Sequence, residues 1–539
     1  MTQLHHQCQY PRQWNYRAAW YWVIPVGFFT VAILTGYQKG AYWLAARFDP
    51  EYIYLLNSLS IANFNAPGYI DHPGTPVHIA GAAVLWLVYL AKSIAASSSG
   101  LTSAVLQQPE LYLRALNLVL VLLMAGLLGL VGWVAYRCDR QPLPCIALQL
   151  TPLLMATTLA SAHRVNPEPF LFAVSQGLVL LLLPYLHQEN LEKRPWFAVS
   201  LGAIVGLGLA AKVTYLPVLL VTVLLPTLRQ QGLMLASAIA AFLLCTLPIA
   251  HRYGEIMNWL LSIAWHTDNY GYGDPGIVKV GALLPNLGTM LRADPAVFIV
   301  LIGAAIAWGI LRFYATTTAD PASKFQRLST VLLIIGAVQI AMAIKHPVPL
   351  LAGDVELRYL MPTIALSGLL VYAILQWAGL ASIRWLGRSC LLMLTLCGCL
   401  TVSQSWGSLQ ASIAHRQDTA RLDRQLRDQF PNCLVISHYR SSLLPFALWF
   451  GNGYANEIYS QPLAKLYPSH GFYHPWRRTF ETFTGKVKNT PDTIRELQAQ
   501  PCVLLRGSPM SLTEQHRHFP TATLSPVLST SIEVVYRLK

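Results

Sequence analysis

Charge is scarce in this chain. Of 539 residues only 12% are Asp, Glu, Lys or Arg, whereas 54% are hydrophobic; a soluble domain usually carries about 25% charged residues. Mean hydropathy is +0.44. This excludes a soluble enzyme and a disordered chain. A net charge of +14 could suggest nucleic acid, but the basic residues stand in short clusters between apolar runs, which is the pattern of membrane topology and not of a groove that tracks phosphates. Nine cysteines occur without a CxxC pair or a Cys/His ligand spacing, which argues against a zinc site. Also missing are alternating β patterns of the membrane-barrel type, a Gly-rich nucleotide loop, an internal repeat, and an A-x-A-like cleavage site after the first apolar run.

What is present is a series of twelve uncharged stretches: 18–38, 73–91, 115–136, 141–162, 169–186, 195–211, 213–228, 230–250, 295–311, 328–344, 359–383 and 389–414. Most reach the roughly 17–25 residues that cross a hydrocarbon core as a helix, and backbone polar groups in lipid must pair internally, which selects helices. The first run reads as an uncleaved anchor, with Arg12 and Arg17 before it on the cytoplasmic side. The run 73–91 opens with Pro-Gly and carries His78. If it lies along the outer face without crossing, the cytoplasmic loops sum to +8 and the outer loops to zero. If it crosses, nearly every basic cluster moves outside. The positive-inside rule therefore predicts eleven crossings plus one interfacial helix.

This reading gives an all-α polytopic membrane protein with a small C-terminal α/β domain on the outer side. Residues 1–17 form a cytoplasmic N-terminus, 18–405 the membrane domain with outer segments 39–111 and 251–294, and 406–539 an extracytoplasmic domain. The tail has 15 Lys/Arg against 9 Asp/Glu. Within it, 432–439, 501–507 and 531–538 read as strands and 410–429 as a helix. Cys433 and Cys502 fall at strand starts, where a disulfide and two free thiols are both open.

The sharpest chemical feature is 47–78, RFDPEYIYLLNSLSIANFNAPGYIDHPGTPVH. Asp49 and Glu51 can act as base and helper or bind a divalent cation. They also suit a helix start, with Asp49 as cap, Pro50 at the first position and Glu51 favouring the dipole. A capping Asp is held rigidly, so the two roles are compatible. Asp71 and His72 can line a site or simply form a Pro-Gly turn. Lys212 stands between two apolar runs with almost no loop, where an ionisable group is a functional candidate; Arg358 lies at another helix end. Each can alternatively be snorkelling to the interface. His163 and Arg164 are further candidates in a turn. Tryptophans and tyrosines near helix ends read as an interface belt, and the aromatic stretch 265–272 as either a belt element or a sugar-stacking loop.

Over about residues 20–380 the chain resembles the GT-C superfamily of polytopic glycosyltransferases, in particular the protein O-mannosyltransferase and lipid A aminoarabinose transferase branch. FDPEYI follows the first helix where that family has its catalytic acidic motif. YIDHPGTPVH occupies the place of a His-Pro-Pro-Leu segment, HRVNPEPFLF the place of an Asp that begins a membrane helix, and GLGLAAKVTYLP and ELRYLMP resemble its Lys-bearing and Arg-Tyr-Leu-x-Pro segments. Two departures stand out: Gly74 replaces the second Pro, and Asn166 or Glu168 replaces the Asp.

The resemblance implies transfer of a sugar from a polyprenyl-phosphate-linked donor to a hydroxyl of a lipid, protein or polysaccharide on the extracytoplasmic face of a bacterial plasma (inner) membrane, with inversion. Asp49 would be the base and Glu51 its helper, Lys212, Arg358 and Arg164 would hold the donor phosphate, and Asp71, His72 and Glu168 would line the acceptor side. A divalent cation, Mg or Mn, would sit at Asp49 and Glu51 if one is used. Membrane lipids are partners and nucleic acid is not. The competing readings are an O-antigen-ligase or polymerase-like enzyme, which works through outer Arg and His residues, and a polyprenyl-linked-sugar transporter or flippase, which would need midplane charges or broken helices in matching halves.

Overall fold

The computed structural model describes residues 20–44, 47–95, 100–267, 273–314, 320–345, 357–380, 383, 385–468 and 470–539. The N-terminal segment 1–17, residues 268–272 of the aromatic stretch and 346–356 of the turn before Arg358 lie outside them. The chain divides into two compact units, one of Met1–Leu34, Ile70–Val77 and Asn117–Gly407, the other of Thr35–Tyr69, His78–Leu116 and Ser408–Lys539.

The first unit is helical, and each apolar run in it forms helix. Its centre is Met361–Leu380, buried over nearly its whole length because it is apolar all round. Helix Pro167–His187 packs beside it and donates Gln176 Nε2 to the Ala365 carbonyl at 2.9 Å. Gly368 lets helix Pro142–Leu150 approach closely, since a Cβ there would lie 2.0 Å from the Leu148 carbonyl oxygen.

Among the described residues of the whole chain, eight helices are long and apolar enough to cross a membrane, or nine if one bent pair is a single span, against the eleven crossings read from the sequence. The interfacial candidate is one of the eight, a 21-residue helix Thr75–Ala95. The remaining runs fall short for local reasons. The run 141–162 breaks near Pro152 and bends by 66°. Helices Val23–Lys39 and Pro195–Ala211 have 17 residues each, about 25 Å at 1.5 Å per residue. The run after Lys212 winds as a 3-10 helix, Val213–Leu224, with Pro217 inside it, where the missing N–H and the pyrrolidine ring disfavour an α-turn.

Helices Pro195–Ala211 and Leu228–Cys245 touch along a glycine pair. A Cβ on Gly202 would lie 2.1 Å from the Met234 carbonyl oxygen, and one on Gly206 2.2 Å from that of Ala238. This is a small-xxx-small contact, in which close backbones provide the dispersion attraction that lipid does not. Gly206→Leu is expected to cost about 1–3 kcal/mol or more by overpacking. Gly232→Leu on the neighbouring helix, where a Cβ meets nothing within 4 Å, should be near neutral; thermal unfolding in detergent compares the two.

The second unit joins the early segment to the C-terminal domain. That domain is a seven-stranded sheet in the order β4-β3-β2-β1-β5-β7-β6, from β1 (Leu434–Ser437), β2 (Gly471–His474), β3 (Thr479–Glu481), β4 (Lys486–Lys488), β5 (Val503–Gly507), β6 (Leu524–Ser529) and β7 (Val534–Leu538). β1 runs parallel to both β2 and β5, and the outer pairs are antiparallel. One face carries Ile436, Tyr473, Val503, Leu505 and Tyr536 with Ile494 of helix Pro491–Gln498. The other carries Leu504 and Val535 against Leu422 and Leu426. Those two leucines belong to a single helix, Trp385–Gln429, so the separate helix expected at 410–429 is the continuation of the last apolar run. Cys433 and Cys502 form a disulfide between the starts of β1 and β5. Arg506, buried at 1% exposure, bonds Glu533 through Nε and Nη2 at 3.2 Å and Asp423 through Nη1 at 2.6 Å, which pairs a charge that would otherwise be costly to bury.

Candidate functional site

In the second unit, helix Phe48–Ala62 begins with a break: Asp49 has φ −102° and ψ 116°, extended and not helical, with Pro50 fitting the first helical position. Asp49 is exposed and Glu51 is fully buried, so the two carboxylates read as a pair sit in different environments. The buried side is a polar cluster around Tyr42. The Tyr42 N–H donates to both oxygens of Glu110 at 2.9 and 3.0 Å, and Tyr52 Oη donates to Glu110 at 2.8 Å. The Arg47 guanidinium lies 5.5 Å from the Tyr42 ring, and Arg114 reaches the Gly40 carbonyl at 3.5 Å. Burial raises the Tyr42 phenol, with Arg47 opposing and Glu51 and Glu110 adding to the shift. Glu110 therefore ties the segment carrying Asp49 to the start of helix Pro109–Asp139. The sequence reading missed it, although an acid directly after Pro at a helix start is a legible signal.

The other flank is also fixed. Phe48 packs edge-on against Phe446 and Phe450 at 5.2 and 5.0 Å, and a Cβ on Gly451 would meet the Tyr52 carbonyl at 2.7 Å. Asn57 accepts from the Gly68 and Tyr69 N–H groups at 2.7 and 3.0 Å. The base candidate is thus an exposed carboxylate on a helix end packed into the unit of the C-terminal domain.

The first unit gathers His72, Glu168, Lys212 and Arg358. Lys212 is the extended residue between Pro195–Ala211 and Val213–Leu224. It pairs with Glu168, both sides being almost wholly buried, at 2% and 1% exposure. Lys212 Nζ lies 5.0 Å and the Arg358 guanidinium 5.6 Å from the ring of Tyr359, which brings both cations to one aromatic group. His72 stands edge-on to Trp259 at 5.0 Å. Burial, reinforced by Lys212 and Arg358, holds its imidazole well below the usual histidine range, so it is neutral at physiological pH.

Unmatched polar atoms sit beside this cluster. Asn166, fully buried at the start of helix Pro167–His187, has no hydrogen-bond partner for either amide atom, and Glu168 uses one oxygen for Lys212 while the other has none. An Asn at this position normally accepts from the first turn, but no side-chain cap bond forms. Buried polar groups are rarely left unmatched, and ordered water or a bound ligand would supply the missing partners.

The other candidates are placed differently. Asp71 is half-buried; burial raises its carboxyl, and Arg252 opposes the shift. Arg252 is itself forked onto Glu255, with its shortest contact at 2.6 Å. Arg164 is half-buried in a turn whose Ala162 and Arg164 carbonyls accept from Asn117 Nδ2 at 2.9 and 3.2 Å. Gly74 has φ +65°, a conformation closed to the proline of the family pattern, so the departure there changes the backbone and not only the side chain. No group of three or more His, Cys, Asp or Glu side chains converges as metal ligands among the described residues.

No protein family and no curated protein matches the sequence. Among solved structures, the crystal structure of ArnT from Cupriavidus metallidurans bound to undecaprenyl phosphate is similar over 96% of this chain and 98% of that one, with a TM-score of 0.52 and 14% identity. The crystal structure of the same protein in the apo state aligns over 97% of this chain with a TM-score of 0.38 and 13% identity. The chain is an integral membrane protein with the GT-C fold of ArnT.

Proposed function

We propose that this protein is a membrane glycosyltransferase that moves a sugar from a polyprenyl-phosphate-linked donor to an acceptor hydroxyl on the extracytoplasmic face of a bacterial inner membrane. The observation that carries the reading is the buried Lys212–Glu168 pair beside half-buried Arg358, with its unmatched Asn166, in a fold whose ArnT example was crystallised with undecaprenyl phosphate. A lysine and an arginine gathered at one aromatic ring suit a lipid-borne phosphate.

In the reaction, the acceptor O–H gives its proton to Asp49 as its oxygen attacks the anomeric carbon. The bond from that carbon to the phosphate oxygen breaks, and the electron pair leaves with polyprenyl phosphate. Asp49 then releases the proton to water. A single displacement inverts the anomeric centre. The phosphate is already a good leaving group, so positioning and charge stabilisation supply most of the acceleration. Glu51 and Glu110 keep the Asp49 segment in place, and neutral His72 offers a hydrogen bond without adding charge.

Membrane lipids and envelope glycans compared between cells with and without the protein test this reading. Loss should make a polyprenyl-phosphate sugar accumulate and one glycan modification disappear. Unaltered lipids and glycans would contradict it.

A further inference from the structure

At the carboxyl ends of β1 and β2 the aromatic rings form a continuous row. Phe472 stacks on Trp449 at 5.0 Å and 12°, Trp449 meets His474 at 5.8 Å, His474 meets Trp476 at 5.7 Å, and Trp476 meets Tyr439 edge-on at 4.9 Å and 81°. The inner end is anchored: Phe472 is fully buried and Trp449 Nε1 donates to Glu481 at 3.2 Å. The outer end is open, with Trp476 at 70% exposure. A tryptophan so exposed loses contact with water only if something else covers it.

Cations surround that end. The Arg440 guanidinium lies 4.8 Å from the Tyr439 ring. Arg477 and Lys486 act electrostatically on His474, with Glu481 acting in the opposite sense, and Lys486 is also paired with Glu457. Arg440 and Arg478 have φ +64° and +51°, a left-handed conformation that side-chain-bearing residues seldom adopt. The location is also distinctive. β1 has parallel neighbours on both sides, β2 and β5, so the chain switches direction across it, and Ser508 N–H donates to the Tyr439 carbonyl at 2.9 Å at that switch. Ligands of open α/β sheets bind outside the carboxyl strand ends at such a point.

We propose that Tyr439, His474 and Trp476, with Arg440 and Arg477, form a binding site for an acidic saccharide. A pyranose lays its polarised C–H face on an aromatic ring, whose face is negative, and guanidinium groups fork onto carboxylate, sulfate or phosphate substituents. Trp476 is flanked by Pro475 and Arg477; a tryptophan beside arginine also suits an anionic bilayer surface, so vesicle binding is the competing outcome of the test. The site stands apart from the transferase reading and would persist if that reading failed.

The test uses the full-length protein in detergent micelles, titrated with a galacturonate hexamer, a sulfated hexasaccharide, a neutral glucose hexamer and phosphatidylglycerol vesicles, with Trp fluorescence and calorimetry as readouts. At least one acidic sugar should bind about tenfold or more tighter than the neutral one. Trp476→Ala and the double variant Arg440→Ala/Arg477→Ala should each weaken it about tenfold, with unfolding temperature unchanged, and added salt should weaken it further. Failure of both acidic sugars, binding that survives these substitutions, or vesicle binding alone would overturn the proposal.

Discussion

Asparagine in place of Asp49 is expected to lower kcat/KM for sugar transfer by about a hundred- to ten-thousand-fold, the range for loss of a general base, without changing insertion, folding or donor affinity. The choice of variant matters because Asp49 stands in an extended conformation before Pro50 at a helix start, where it can also act as a cap. Asparagine caps as well as aspartate but cannot take the acceptor proton. Asp49→Ala removes both abilities and should add a stability loss of about 1 kcal/mol. Initial rates and thermal unfolding on both variants separate the roles. A native rate in Asp49→Asn with a stability loss in Asp49→Ala would reduce the residue to a cap.

Breaking the Glu168–Lys212 pair is the second large effect. Each partner is nearly inaccessible to water, so removing one leaves a buried charge uncompensated, at a cost of about 3–5 kcal/mol. Glu168→Gln and Lys212→Met should both be severely destabilised. The double variant Glu168→Gln/Lys212→Met, with neither charge of the pair left, should regain most of the stability. Donor binding separates function from structure. If Lys212 holds the donor phosphate, the double variant stays at least about tenfold weaker for a polyprenyl-phosphate donor, although it folds. Native affinity in that variant would make the pair a structural element only.

The apolar runs made the membrane part legible, because any stretch that apolar must become buried or lipid-facing helix. The breaks were less legible. The run 213–228 looks like its neighbours in hydropathy, yet Pro217 sits within a 3-10 helix there; the Gly202–Gly206 spacing matters only because helix Leu228–Cys245 lies against it. In the C-terminal domain, β1, β5 and β7 each carry a short run of apolar residues, Leu-Val-Ile, Val-Leu-Leu and Val-Val-Tyr, and could be read directly. β3 and β4 are three residues each, and β4 is fully exposed Lys-Val-Lys, so neither carries a hydrophobic pattern. At the candidate site, residue types were readable and partnerships were not. Lys212 and Glu168 are 44 positions apart, and Glu110 reaches Tyr42 across 68. No local rule links such residues, and only the fold brings them together.

The most direct measurement is the release of free polyprenyl phosphate by the purified protein in nanodiscs supplied with a polyprenyl-phosphate-linked sugar and an acceptor extract. The account predicts release that requires acceptor, yields an inverted linkage and vanishes in Asp49→Asn. No release from any lipid-linked sugar, or release that is unaffected by Asp49→Asn, would contradict it.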